Sequence, residues 1–154
     1  MKRKGGKTYG KVVATLNVLM EIPDPPPPED YSSPFMSIKE WLYHLADTNQ
    51  CEKHISVFGF GFLESPSRLM LCLEGSNTYK IDENTVEHRR DFKPVSYKYF
   101  VLPKEEFANL PKEQVAQRVK DELLEFFKTA KFHDSFLSKG DAISLSYMGN
   151  IWTK

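Results

Sequence analysis

His54-Ile55-Ser56-Val57-Phe58-Gly59-Phe60-Gly61-Phe62-Leu63, followed by Glu64-Ser65-Pro66-Ser67-Arg68 and then Leu69-Met70-Leu71-Cys72-Leu73, is the stretch that decides the fold. In the first run Phe58, Phe60 and Phe62 fall on one face of an extended chain, with Ile55, Val57, Gly59 and Gly61 on the other. The middle run is turn chemistry, with Pro and Ser between charged residues. The third run is apolar at every position, as an interior strand is. The three together predict a β-hairpin over residues 54–74. The phenylalanine face is read as core lying under a helix.

Moving outward, the segment before the hairpin opens a helix with clear punctuation. Ser37 and Glu40 form a capping box, and Met36 and Trp41 stand where a hydrophobic staple would place them. Ile38, Trp41, Leu42 and Leu45 recur at i, i+3, i+4 and i+7, one apolar stripe that should end near Asp47–Asn49. A second long helix is predicted after Pro111, with Val115, Val119, Leu123, Phe126 and Phe127 buried. Between them, Val95–Leu102 reads as a strand. Ala142–Tyr147 alternates as another, and Gly149-Asn150 suits a two-residue turn into Ile151-Trp152-Thr153. Tyr9–Ile22, rich in β-branched residues, predicts one more strand. The fold class expected is therefore α+β: a mainly antiparallel sheet of four to six strands with two main helices packed on one face.

Three stretches are expected outside that framework, all within a single domain over residues 1–154. Residues 1–8 are a flexible basic lead, and residues 23–34 are a proline-rich loop on a stiff, extended path. Residues 75–94 are polar enough to read as a long loop, with a short strand within Thr78–Ile81.

The bulk numbers limit function more than they reveal it. A chain of 154 residues with 40% hydrophobic and 27% charged side chains is globular, not disordered. Its 21 basic and 21 acidic residues cancel, so no global field favours nucleic acid. No run approaches the ~18 apolar residues of a membrane span, and no secretory leader is apparent. The location expected is cytoplasmic. Cys51 and Cys72 lack metal or redox spacing and read as two free thiols.

No constellation for chemistry emerges. Gly59-Phe60-Gly61 continues as strand into a turn, whereas a dinucleotide loop must lead into a helix. His44, His54, His88 and His133 are scattered without ligand spacing, so no metal or cofactor is expected. Carboxylate pairs such as Asp82 with Glu83, or Glu105 with Glu106, read as solvated faces. The chain is read as not an enzyme.

One resemblance goes further. Residues Ile55–Pro66, Leu71–Ser76, the helix around Ile38–Leu42, Leu124–Lys128 and Ala142–Tyr147 together resemble small immunity proteins of bacterial polymorphic-toxin systems. The likeness implies a cytoplasmic antidote that binds a cognate protein toxin and blocks it by occlusion, without catalysis. The chain departs from that pattern in its Tyr147-Met148-Gly149-Asn150 turn and in its neutral charge, which argues against a basic nuclease as the toxin. Exposed loops then supply the candidate contacts: Asp24, Glu29, Asp30 and Tyr31 by the prolines, and Asp82, Glu83, Glu87, Arg89 and Arg90 in the long loop. Two rivals stay open: a small enzyme or ligand-binding domain with a pocket beside Gly59 and Gly61, and a protein-interaction domain unrelated to toxins.

Overall fold

A computed structural model of the protein describes residues 27–80 and 86–154, and for residues 78–80 and 86–90 the backbone alone. The basic lead at 1–8, the strand expected in Tyr9–Ile22 and the first prolines lie outside the described residues. What is described is α+β, one mixed sheet of six strands with four α-helices. Among the described residues no helix is long and apolar enough to cross a membrane.

Helix α1 spans Ile38–Thr48 and starts where the capping residues place it. Ser37 Oγ accepts from Glu40 N at 3.2 Å, and Glu40 reaches back to the N–H of Met36 at 2.9 Å. The expected staple does not form. Trp41 is fully buried while Met36 is 82% exposed, so the two side chains part company at the helix entry.

Strands β1 (Val57–Ser65) and β2 (Arg68–Lys80) form the central hairpin, with Phe60 opposite Leu73 and Ser65 opposite Arg68. Phe58 and Phe60 are buried, as are Leu71 and Leu73, because alternate residues of both strands share the core face. Phe60 meets Trp41 edge-on with ring centres 6.1 Å apart.

Strands occupy much of the stretch 75–94 expected as a long loop. Strand β2 runs on to Lys80, and β3 (Val86–Phe92) pairs antiparallel with its second half, Asn77 opposite Arg89 and Tyr79 opposite Glu87. Strand pairing is made by backbone groups, which polar side chains do not prevent. The ladder slips by a bulge at Gly75/Ser76. Gly75 is required there: a Cβ would stand 2.9 Å from Ile55 Cγ2 and 3.0 Å from Phe92 Cβ.

Of the strand expected at 95–102, only β4 (Tyr99–Val101) forms, pairing with Met70–Cys72 of β2. A short helix α2 (Lys104–Phe107) leads to α3 (Lys112–Phe127), which buries Val115, Val119, Leu123, Phe126 and Phe127 as its stripe predicts. Helix α4 (Ala130–Asp134) and a 3-10 turn at Phe136–Lys139 carry the chain back to the sheet. There β5 (Ala142–Leu145) lies parallel to β1, with Phe58 opposite Ile143. That single parallel pair makes the sheet mixed, and it is possible because the helices supply the long connection a parallel pair needs. The sheet order is β3-β2-β1-β5-β6, with β4 also on β2.

The closing strand β6 spans Gly149–Thr153, so Gly149 and Asn150 belong to the ladder rather than to the turn. The reversal sits earlier, where Met148 N donates to Leu145 O at 2.9 Å and Tyr147 takes the left-handed conformation with φ 72°. Gly149 follows at φ 74°.

Candidate protein-binding surface

Residues Val95-Ser96-Tyr97 form a shelf in front of β4, and each is held by α1 or its cap. Trp41 must find an acceptor for its buried indole N–H, and it donates to Tyr97 O at 2.7 Å. His44 Nε2 lies 3.3 Å from Ser96 Oγ. Asn49, the buried C-cap, donates through Nδ2 to Leu45 O at 3.0 Å and accepts from Val95 N at 2.9 Å through Oδ1. Three consecutive positions of an irregular segment are thus tied to side chains on one helix.

The tie overcomes local strain. Tyr97 has φ 52°, in the left-handed region that bulky residues avoid at a cost of about 1–3 kcal/mol. Leaving the Trp41 donor or the Asn49 amide without a partner would cost about 1–3 kcal/mol each. Ring packing adds to the hold, since Phe35 meets Tyr97 edge-on at 5.3 Å and His44 meets it at 5.4 Å. With the backbone satisfied inward, the apolar side chains point out. Val95 is 77% and Tyr97 39% exposed, and Met36 flanks the partner ring Phe35 in sequence.

The contacts expected from sequence fare differently. Asp24, Asp82 and Glu83 lie outside the described residues, and Glu87, Arg89 and Arg90 sit on β3 with only their backbone described. The described members of the two groups lie apart: the strap at residues 27–33 is bound at the Arg68 start of β2, whereas Arg90, Arg89 and Glu87 pair with Ser76, Asn77 and Tyr79 in its second half. Within the strap, Glu29 and Tyr31 serve internal bonds. Ser67 Oγ donates to Glu29 at 2.5 Å, which with smaller help from Arg68 holds the Glu29 carboxyl below the usual range. Tyr31 OH donates to Tyr99 O at 2.8 Å, and burial raises its pKa. Arg68 donates to the carbonyl oxygens of Pro28 and Tyr31. Of the three that are described, Asp30 is exposed with no such role.

Two clefts open on the described surface. One, of about 250 Å³, lies by Cys51, His54, Phe136 and Lys139. Burial raises the Cys51 thiol pKa, its Sγ is bonded to Lys53 O at 3.2 Å, and His54 is paired with Asp141 at 3.0 Å. A raised thiol pKa is the opposite of what activates a nucleophile. The other cleft, at the β1–β2 turn, is lined by Leu69, Leu102, Lys104 and Phe107 among others. Neither is lined by Gly59 or Gly61, whose missing side chains leave room that Ser144 Oγ (3.3 Å from a Cβ on Gly59) and Ser146 Oγ (3.5 Å from one on Gly61) already occupy. Among the described residues no three His, Cys, Asp or Glu side chains could hold a metal ion.

Sequence reasoning missed Val95, Tyr97 and Met36. The run Val95–Leu102 alternates like a strand, and nothing local marks Tyr97 for a left-handed backbone. Pro94 restricts its own φ and the conformation of Lys93, and so carries no signal for Tyr97. No protein-family model matches the chain, and neither a curated protein nor a solved structure is significantly similar to it.

Proposed function

We propose that this chain is an immunity-type inhibitor, a non-catalytic cytoplasmic domain that binds one cognate bacterial toxin domain and blocks it by occlusion. The observation that supports this reading is the shelf: apolar side chains of Val95 and Tyr97 stand in solvent on a backbone fixed by Trp41, His44 and Asn49. A surface ordered before contact avoids the ordering cost of binding. A half-exposed tyrosine ring is the type of anchor that dominates interface energetics. In this reading α1 and α3 form the layer that stiffens one face of the sheet, and α1 also carries the shelf. Polar residues around the shelf supply the rim of a contact that must reach about 800 Å² per partner.

The test is co-expression with the toxin domain encoded beside this chain. Growth should be restored and an equimolar complex recovered, and Tyr97→Ala should weaken that complex at least about tenfold. If the toxin arrests growth equally with and without the protein and no complex forms, the inhibitor reading is wrong. If the complex forms but ignores Tyr97→Ala and Val95→Asp, the shelf is not its site.

A further inference from the structure

We propose that the cleft at the β1–β2 turn binds a small monocarboxylic acid with a short apolar body. The cleft has a volume of about 210 Å³. An enclosed cavity of about 150 Å³ accepts a benzene ring, so this one has room for a single ring or a chain of about six carbons. Its floor is Leu69, Leu102, Phe107, Leu110 and Val115, of which Leu102, Phe107 and Val115 are buried. That floor favours an apolar body over a sugar or a free phosphate.

The rim is cationic. Arg68, Lys104 and Lys112 line the cleft against a single lining carboxylate, Glu64. Glu64 is already paired with Lys112 at 2.7 Å. Arg68 is engaged by neutral carbonyl oxygens and its charge is partly answered by the nearby Glu29 carboxylate, while its Nε is buried without a hydrogen-bond partner. Lys104 has no acidic partner among the described residues. Helix α3 begins at the same mouth with Lys112, and its N-cap Pro111 offers no side-chain cap. Its 16 residues therefore add a partial positive end beside the same rim. One negative charge on an apolar body matches this arrangement. A neutral analogue forgoes the rim, and an alkylammonium is repelled by it.

The test uses the full chain, ¹⁵N-labelled, titrated separately with hexanoate, benzoate, hexanol and hexylammonium. Both acids should shift the amides of Leu69, Leu102, Phe107 and Val115 saturably below about 10 mM, with weaker binding as salt rises. Lys104→Gln and Lys112→Gln should each weaken hexanoate about three- to tenfold. Val115→Phe should fill the floor and abolish binding. Ala108→Phe, at an exposed rim position where folding is not at stake, should do so as well. Hexanol binding as tightly as hexanoate would overturn the proposal, as would shifts that never saturate or that persist unchanged in Ala108→Phe.

Discussion

The strap at residues 27–33 and the shelf at residues 95–97 are both irregular, both lie beside β4, and both are fixed by hydrogen bonds to side chains, yet they end with opposite surfaces. In the strap the side chains are spent on internal bonds, Glu29 with Ser67, Tyr31 with the backbone of Tyr99 and Ser33 Oγ with the N–H of Val101, while Arg68 takes the carbonyls of Pro28 and Tyr31. In the shelf the backbone of Val95 and Tyr97 turns inward, to Asn49 and Trp41, and of the three side chains Ser96 meets His44 while those of Val95 and Tyr97 are left to the surface. A binding surface is to be sought where side chains are left unspent. A loop rich in hydrogen-bonding side chains tends to use them on itself. A loop whose backbone is satisfied by a neighbouring helix has its side chains to offer.

The largest effect is expected from Trp41→Ala. Trp41 is fully buried, stacks on Phe100 at 5.8 Å and holds Tyr97 O. Its loss should cost about 3–5 kcal/mol by urea denaturation, and the resonances of Val95–Tyr97 should broaden more than those of the strap. Arg68→Met probes the other region. Without its bonds to the carbonyls of Pro28 and Tyr31 the strap should loosen at a cost of about 1–2 kcal/mol, with shelf chemical shifts unchanged. Equal disturbance of both regions by either variant would merge what the comparison separates.

A smaller effect is expected from Tyr97→Gly. Relief of the left-handed strain and loss of the Phe35 and His44 contacts oppose each other, so stability should change by less than about 1 kcal/mol. Binding to a partner should still fall sharply, because the ring is gone. A large loss of stability would mean that Tyr97 is there for the fold. The smallest effect is on the strap and depends on pH. Glu29 is held below its ordinary value of 4.5, chiefly by Ser67. Its folded pKa is the lower one, so this contribution is present above 4.5 and is lost as pH falls through the lowered value. The Ser67 and Tyr31 resonances should follow that titration, and in Glu29→Gln they should not.

The parts of the fold that residues announce locally were legible. Ser37 with Glu40 marked the start of α1, the stripe from Val115 to Phe127 marked α3, and the alternation of Phe58 and Phe60 marked β1. Features set by distant partners were not. Pairing of β2 with β3 carries little hydrophobic signal, since Ser76, Asn77 and Thr78 face Arg90, Arg89 and His88 in its register. The parallel contact of β1 with β5 joins strands separated by every helix after β4. The closing turn chose Tyr147 over the Gly149-Asn150 pair that sequence preference favours, and Tyr97 likewise sits where a glycine would be expected. Both exceptions are tyrosines held by tertiary contacts, Tyr97 against Phe35 and Tyr147 beside Phe62. The candidate surface was therefore the least legible part, because its defining strain runs against local preference and polarity pointed to the strap and β3.

The claim that the shelf is fixed from behind is tested most directly by amide hydrogen exchange at Val95, whose N–H donates to Asn49 Oδ1 at 2.9 Å although its side chain is 77% exposed. In the wild-type chain that amide should exchange about as slowly as those of the neighbouring β4 ladder, and in Asn49→Ala it should speed up by at least about tenfold while the α3 amides stay protected. Exchange at Val95 as fast as in an unstructured peptide in the wild-type chain would contradict the account.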